Sequence, residues 1–488
     1  MTTYLSLLSF VLSNTVKIAL VAAVLLGFRV LERRGRREGV LVVVLGALLL
    51  DVGLYPTYGQ TAGLLHPSGL GHSIDLTTVL GVLGLLVRSR RTSPGRLQLT
   101  AALWTVFLLW TASSAVHGLL SGHASKFVLY EAEVLLHVGV IAVLVAGVPV
   151  ARLTAPSGLP ALAWVFAPLS LLIAVAGVAK ASLTFSLPLL HTVELGKMGG
   201  DAATVFSSLG AVCLVIAMTR PVGARASLLP AVVLLVSPLV AGQRAAVLGL
   251  GAALVVILVA FLTQGRARVL RVTSGEVLLA SLLACSLVAL VVVATSTTSS
   301  GSGDALSAQI HKTFSSTAKQ QSAQSRRNQW SKAFVLVKNA PVTGNGLGTT
   351  YVYYEISQLR LVTSEVTHDI PLDVALRSGI IGVLLLLVAT AGSVVDGART
   401  FRSRASPQVR AVALGALGVF VGLVAKGTVE SIFEKHRLAV LLGVSIGLLC
   451  AAVKERAEHD DEATKAYEGL DPARDMSADD RWGATAWT

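Results

Sequence analysis

Apolar stretches about as long as a lipid bilayer is thick recur along almost the whole chain. A helix needs roughly 20 apolar residues to cross roughly 30 Å of hydrocarbon, and on this criterion the sequence holds about thirteen candidate spans. Their approximate positions are 4–28, 39–56, 74–88, 98–120, 127–150, 157–179, 203–219, 226–242, 245–264, 275–296, 372–395, 409–429 and 437–453. Hydrophobic residues make up 53% of the chain and charged residues only 14%, which a soluble globular body could not accommodate. The sequence predicts an all-α polytopic membrane protein with about 13 transmembrane helices.

Lys and Arg divide the loops between these spans into two alternating sets. Basic residues collect in alternate loops, at 29–37, 88–96, 220–225, 266–271 and 399–410. Because Lys and Arg in short loops favour the cytoplasmic side, we expect a plasma-membrane protein with its N-terminus outside and its C-terminus in the cytoplasm. The net charge of +13 then lies mostly beside anionic lipid headgroups, and it does not predict binding to nucleic acid.

The chain divides into four predicted parts. Residues 1–297 carry spans 1–10, 298–371 form one large extracytoplasmic loop, 372–453 carry spans 11–13, and 454–488 are polar and acidic. This last part has too few apolar residues to bury, so we expect a disordered cytoplasmic tail. Neither a disulfide framework nor a cysteine metal cluster is predicted, because the three cysteines all fall within apolar spans: Cys213, Cys285 and Cys450.

The large outer loop has local order of its own. Apolar residues recur within it at helical spacing: Trp330, Phe334 and Val337. Pro341 follows this run, so we predict a short amphipathic helix over 326–340 that lies at the membrane surface. Arg326 and Arg327 occupy its first turn.

Two further features follow that helix. A glycine turn over 344–348 is flexible enough to let the backbone approach a ligand. The segment 352–366 is compatible with a second amphipathic helix, and three nearby tyrosines suit contact with the membrane interface or a sugar: Tyr351, Tyr353 and Tyr354. We therefore expect the loop to carry the chemistry.

Arg244 lies on the outer side of the predicted topology, in the tight turn between spans eight and nine. The positive-inside pattern does not account for it there. It begins a helix whose N-terminal amides also favour an anion. An arginine that reaches out to lipid headgroups is the alternative explanation.

Four motifs, in this order, resemble the O-antigen ligase and polysaccharide polymerase superfamily. They are Arg-x-x-x-Leu from Arg244, Arg-x-x-x-Trp from Arg326, Pro-x-x-Gly-x-Gly-x-Gly over 341–348, and His-x-x-x-Leu from His368 with Gly379-x-x-Gly382 after it. All four lie on one predicted side of the membrane, and the matched region covers roughly residues 238–382. The family usually has Asn after the histidine, whereas this chain has Asp369.

The resemblance implies a metal-independent membrane glycosyltransferase of the C-type fold that needs no cofactor. It would move a glycan from a polyprenyl-diphosphate donor to a glycan or lipid acceptor outside the membrane. Arg244 and Arg326 would then bind the lipid diphosphate, and His368 would act near the acceptor hydroxyl. Arg327 could take the place of Arg326. Asp369 and Gly346 complete the predicted substrate site.

The residue types fit this chemistry independently of the resemblance. Guanidinium groups can hold a diphosphate and stabilise its charge in place of a metal. A histidine with a pKa near 6.5 can accept a proton from a hydroxyl at neutral pH, and direct displacement would invert the anomeric centre. A lipid or sugar transporter or flippase is the alternative, but it would favour internal repeats and charges along a path through the bilayer.

Ligase and polymerase share the donor chemistry, so both remain open from sequence. The expected product is an envelope or capsular polysaccharide, made with other members of an envelope polysaccharide assembly system.

Ionisable residues within the predicted spans are costly unless they are paired or functional. Three pairs stand four residues apart, as partners on one helix face do: Glu133 with His137, Asp373 with Arg377, and Lys426 with Glu430. Glu131 and Lys17 have no role assigned from sequence.

Overall fold

The computed structural model describes ten stretches of the chain. These are residues 98–178, 183–187, 190–195, 199–219, 227–240, 244–263, 316–356, 359–364, 367–433 and 435–468. The helices within them are α1 (Leu99–Leu120), α2 (Ser125–Val145), α3 (Val150–Leu153), α4 (Leu159–Val178), α5 (Gly200–Thr219), α6 (Leu228–Val240), α7 (Arg244–Thr263), α8 (Ser316–Asn339), α9 (Ile370–Arg402), α10 (Pro407–Gly427) and α11 (His436–Glu468). Two antiparallel hairpins accompany them: β1 (Leu183–Leu187) with β2 (Leu190–Leu195), and β3 (Tyr351–Glu355) with β4 (Arg360–Ser364).

The described helices confirm a polytopic membrane protein. Seven of them are long and apolar enough to cross a bilayer, namely α1, α2, α5, α7, α9, α10 and α11. Two other predicted spans coincide with α4 and α6, which carry shorter apolar runs. Four predicted spans lie outside the described residues: 4–28, 39–56, 74–88 and 275–296. Lys17 belongs to the first of these spans and is not described either.

Helix α7 packs against α10 through glycines. A methyl group added to Gly249 would lie 2.7 Å from the carbonyl oxygen of Gly422, so the two backbones are in direct contact. Small residues permit this close approach between membrane helices. Farther along, Ile257 of α7 packs beside Gly418 of α10, so the two helices run antiparallel. Arg244, the first residue of α7, therefore lies at the end of the bundle where α10 terminates.

Helix α9 begins at that same end and is kinked. A methyl group added to Gly427, the last residue of α10, would lie 2.1 Å from Cδ1 of Ile370, the first residue of α9. Gly379 interrupts α9 with φ of 67° and ψ of −170°, a conformation that costs other residues roughly 1–3 kcal/mol. An added methyl group there would also meet the Val342 carbonyl oxygen at 2.0 Å. The kink thus makes room for the chain that follows α8.

The loop before α9 contains the predicted amphipathic helix, which is longer than expected. It spans Ser316–Asn339 instead of 326–340. Its apolar face packs against the β3–β4 hairpin and the start of α9 through a cluster centred on Ala333, Tyr351, Tyr353, Leu372 and Leu376. Phe334 does not belong to that face, because 52% of its surface is exposed.

The segment 352–366 does not form the second amphipathic helix that its sequence allowed. Residues Tyr351–Glu355 and Arg360–Ser364 pair as an antiparallel hairpin instead. The reason is a period of two: Tyr351 and Tyr353 are buried, whereas Val352 and Tyr354 are exposed, and Tyr and Val favour strands. The two buried tyrosines pack on α8, which leaves Tyr354 at the surface.

Residues 454–468, which were predicted to belong to a disordered tail, are helical. Helix α11 continues to Glu468, and residues 469–488 lie outside the described part. The extension is stabilised by Glu455, whose Oε1 accepts a 2.6 Å hydrogen bond from the Val150 amide. Ion pairs four residues apart follow along the helix, among them Lys454 with Glu458.

Candidate functional site

Polar side chains from distant parts of the sequence meet at one end of the helical bundle. This end is formed by the starts of α5, α7, α9 and α11 together with the end of α10. The polar helix α8 lies beside the start of α9, since Gln329 Oε1 is 3.5 Å from the His368 amide nitrogen. His368 occupies the short connection that leads into α9.

His368 is half-buried among charged groups of both signs. Burial lowers the pKa of His368 below its ordinary value, and the nearby Arg326 guanidinium lowers it further. Glu430 and Glu355 oppose this shift, while Lys435 adds to it. The net result favours the neutral imidazole at neutral pH. A neutral imidazole can accept a proton, which is the property that a general base requires.

Arg326 and Arg327 differ in position although they are neighbours in sequence. Arg326 is half-buried and shares a face of α8 with Gln329, three residues later, whose side chain lies at the His368 amide. Arg327 is exposed. The structure therefore places Arg326, and not Arg327, beside His368.

Two lysines and two carboxylates form a network next to this histidine. Lys435 Nζ lies 3.0 Å from Asp201 Oδ1 and also contacts Glu430 Oε1. Lys426, which is fully buried, reaches the same pair at 3.6 and 3.4 Å and donates to Thr204 Oγ1 at 3.0 Å. Burial by itself would raise the pKa of Glu430, but the two ammonium groups more than offset this and lower the pKa to about 2. Glu430 is thus ionised at any physiological pH.

Asp369 caps helix α9. Its Oδ1 accepts a 2.9 Å hydrogen bond from the Leu372 amide, as the N-cap residue of a helix does. Burial raises the pKa of Asp369, an effect that the Leu372 hydrogen bond opposes. Asn and Asp are equally good N-caps. Asp369 can therefore cap the helix as well as the Asn that the family usually has at this position.

A buried ion network lies directly beneath the His368 segment. Arg377 of α9 pairs with Asp373 Oδ2 at 2.9 Å, as their spacing predicted, and also with Glu131 Oε1 of α2 at 2.9 Å. The other oxygen of Asp373 accepts a 3.2 Å hydrogen bond from the Thr367 amide, immediately before His368. This chain of contacts fixes the backbone at His368 relative to α2.

The glycine turn after α8 packs within the bundle. The Gly346 amide donates to the Arg377 carbonyl oxygen at 3.0 Å, and the Gly348 amide donates to Glu131 Oε2 at 2.7 Å. Gly346 has φ of 89°, and an added methyl group would lie 2.5 Å from the Gly118 amide nitrogen of α1. Packing alone explains glycine at this position, whereas the sequence indicated a ligand contact. The role of Gly346 in substrate binding stays a prediction.

Arg244 enters this region through the backbone of α7. Gly249, little more than one turn after it, packs on Gly422, and a methyl group added to Gly249 would lie 3.4 Å from Cβ of Lys426. Because α7 runs antiparallel to α10, its first residue lies beyond Lys426, on the side where Glu430 and Lys435 are found. Arg244 and His368 are thus at the same end of the bundle.

Four charged groups near His368 were not recognised from sequence as site residues: Asp201, Glu355, Glu430 and Lys435. Glu430 and Lys426 were paired by their spacing, but that spacing could not reveal the partners from α5 and from the start of α11. Glu355 is held by the hydroxyls of Ser325 and Tyr353, at 2.7 and 3.0 Å. Alternate residues of a strand share one face, so Glu355 lies on the same face as Tyr351 and Tyr353. This alternation was the one sequence signal that could have placed Glu355 on the side facing α8.

A family model matches the part of the chain that contains His368, Arg326 and Arg244. Residues 229–387 match the family model described as O-antigen ligase, a range that includes α7, α8 and the first half of α9. This match confirms the resemblance predicted from the motifs, and it indicates a membrane glycosyltransferase of the ligase or polymerase type. No curated protein matches the chain significantly.

Proposed function

We propose that this protein transfers a glycan from a polyprenyl-diphosphate donor to a hydroxyl of a glycan or lipid acceptor, outside the plasma membrane. The observation that carries the proposal is the convergence of His368, Arg326 and the start of α7 at one end of the bundle. These three groups come from separate stretches of the region that matches the ligase family. A neutral base beside arginines is the combination that such a transfer requires.

In the proposed reaction, Arg326 and Arg244 hold the donor's diphosphate. Guanidinium groups bind phosphate oxygens bidentately and stay charged, so they can stabilise the negative charge that develops as the glycosidic bond breaks. Lys435 lies close by, but it already pairs with Asp201 and Glu430. The arginines therefore supply most of the positive charge that faces the donor.

His368 takes the proton of the acceptor hydroxyl in this scheme. The hydroxyl oxygen forms a bond to the anomeric carbon, while the bond from that carbon to the diphosphate oxygen breaks and its electron pair leaves with the polyprenyl diphosphate. One direct displacement inverts the anomeric configuration. General-base assistance of this kind is typically worth about 10² to 10⁴ in rate.

The proposal is tested with protein reconstituted in liposomes, a purified lipid-linked glycan and a hydroxyl acceptor. Release of polyprenyl diphosphate together with an elongated or newly attached glycan is the expected result. Movement of the intact donor between leaflets without release of diphosphate would instead indicate the transporter or flippase alternative. The acceptor that supports release also distinguishes a polymerase, which uses a second glycan chain, from a ligase.

A further inference from the structure

Three metal-ligating side chains meet where α2 packs against the start of α11. Glu133 and His137 stand one helical turn apart on α2, and His436 is the first residue of α11. Each contributes one potential ligand atom, and these atoms all lie within 4.8 Å of one another. Glu133 and His137 are buried, whereas His436 is half-buried. None of the three belongs to the substrate site proposed above.

The distance between the two imidazoles is close to that of two ligands on one metal. The Nδ1 atoms of His137 and His436 are 3.5 Å apart. Two nitrogens bound to tetrahedral zinc at about 2.0–2.1 Å would be separated by about 3.3–3.4 Å. The rings are nearly perpendicular, with an interplanar angle of 87°. Both rings therefore present a nitrogen to the same small volume.

The donor set selects a particular class of ion. Two imidazoles and one carboxylate form the set that zinc uses in many protein sites, whereas Mg²⁺ and Ca²⁺ prefer oxygen ligands only.

We propose that Glu133, His137 and His436 form a zinc site that ties α2 to the start of α11. The ion would take one oxygen of Glu133 and the Nδ1 atoms of both histidines. Its effect would be to fix residue 436 and, through the adjacent Lys435, the contacts of that lysine with Asp201 and Glu430. The glycan transfer proposed above includes no step at this ion.

Metal analysis of the purified full-length protein tests this site. The protein carries an affinity tag without histidines, is saturated with Zn²⁺ in detergent and is then freed of unbound metal by gel filtration. We expect roughly one zinc per chain, and a large loss of bound zinc in His137→Ala, His436→Ala and Glu133→Gln. His459→Ala is the matched control, because His459 is an exposed residue of the same helix as His436, and it should keep its zinc.

Two further measurements keep the test decisive if a variant folds poorly. Loading the wild-type protein with Co²⁺ should give the visible absorption bands of a tetrahedral ion with nitrogen and oxygen ligands. Adding Zn²⁺ to chelator-treated wild-type protein should raise its Tm. Substoichiometric zinc in the saturated wild-type protein with an unchanged Tm would overturn the proposal, and so would equal zinc in the control and the folded site variants. The 3.5 Å contact would then be a hydrogen bond between two imidazoles.

Discussion

The guanidinium of Arg377 and the carboxylate of Glu131 form an ion pair 2.9 Å long between two residues that are 246 positions apart in the sequence. Both side chains are almost completely buried, and Arg377 also binds Asp373. The pair connects the helix that follows His368 to the helix that receives the glycine turn. It thereby links the motif that begins at His368 to the glycine motif over 341–348.

Removing one member of this pair should destabilise the protein strongly. We expect Glu131→Ala to cost about 3–5 kcal/mol, because it leaves a buried guanidinium with less compensation. It also removes the acceptor of the Gly348 amide. The measurement is the midpoint of thermal or denaturant unfolding in detergent. Arg404→Ala, at an exposed arginine between α9 and α10, should change this midpoint little, and an equal loss in both variants would contradict the account.

The kink of α9 should not tolerate a side chain. Gly379→Ala places a methyl group 2.0 Å from the Val342 carbonyl oxygen at φ of 67°, so we expect lower stability and lower transfer activity. Gly251→Ala is the matched control, since nothing lies within 4 Å of a methyl group there. Alanine should stabilise α7 by roughly 0.5–1 kcal/mol if it has any effect. Normal stability and activity of Gly379→Ala would show that the kink is dispensable.

The pH dependence of transfer should report the environment of His368. Burial and Arg326 lower the pKa of His368 below its ordinary value of 6.5. The pH profile of kcat/KM should therefore have an ascending limb whose midpoint lies below pH 6.5. Arg326→Gln removes a positive charge, so the pKa of His368 rises and the limb moves to higher pH. This shift is separate from the loss of rate that the same substitution causes. An unchanged limb would exclude Arg326 as a neighbour of the catalytic base.

Asp369 should be needed as a helix cap and not for its charge. Asp369→Asn keeps an N-cap acceptor, so activity and Tm should stay near those of the wild type. Asp369→Ala should lose about 1 kcal/mol of stability. Ser406→Ala provides the comparison, because Ser406 caps α10 through the Val409 amide at 3.3 Å and lies away from His368. A large loss of activity in Asp369→Asn would show that its carboxylate contacts the substrate.

Much of the fold follows from local patterns in the sequence. Apolar runs predicted nine helices of the described residues, and Pro341 correctly marked the end of α8. The hairpin that begins at Tyr351 was misassigned because its strands are only 5 residues each, too short for a period of two to be distinguished from a helical one. The extent of α11 was underestimated because composition alone does not show the contact of Glu455 with Val150.

The site was predicted less completely, for a physical reason. Spacing along one helix identifies partners three or four residues apart, and it therefore found Asp373 with Arg377. It cannot identify partners that only the packing of helices brings together, as with Glu131 and Arg377. The choice between Arg326 and Arg327 likewise depended on the face that α8 turns toward the start of α9, which required the structure.

Separate measurement of donor binding and transfer tests the central claim most directly. Wild-type protein, His368→Ala, Arg244→Ala, Arg326→Ala and Arg327→Ala are compared for binding of a lipid-linked glycan and for release of polyprenyl diphosphate. We predict that His368→Ala binds the donor but loses about 10² to 10⁴ in transfer rate, that Arg244→Ala and Arg326→Ala lose binding and transfer together, and that Arg327→Ala retains both. Undiminished transfer by His368→Ala and Arg244→Ala would contradict the account.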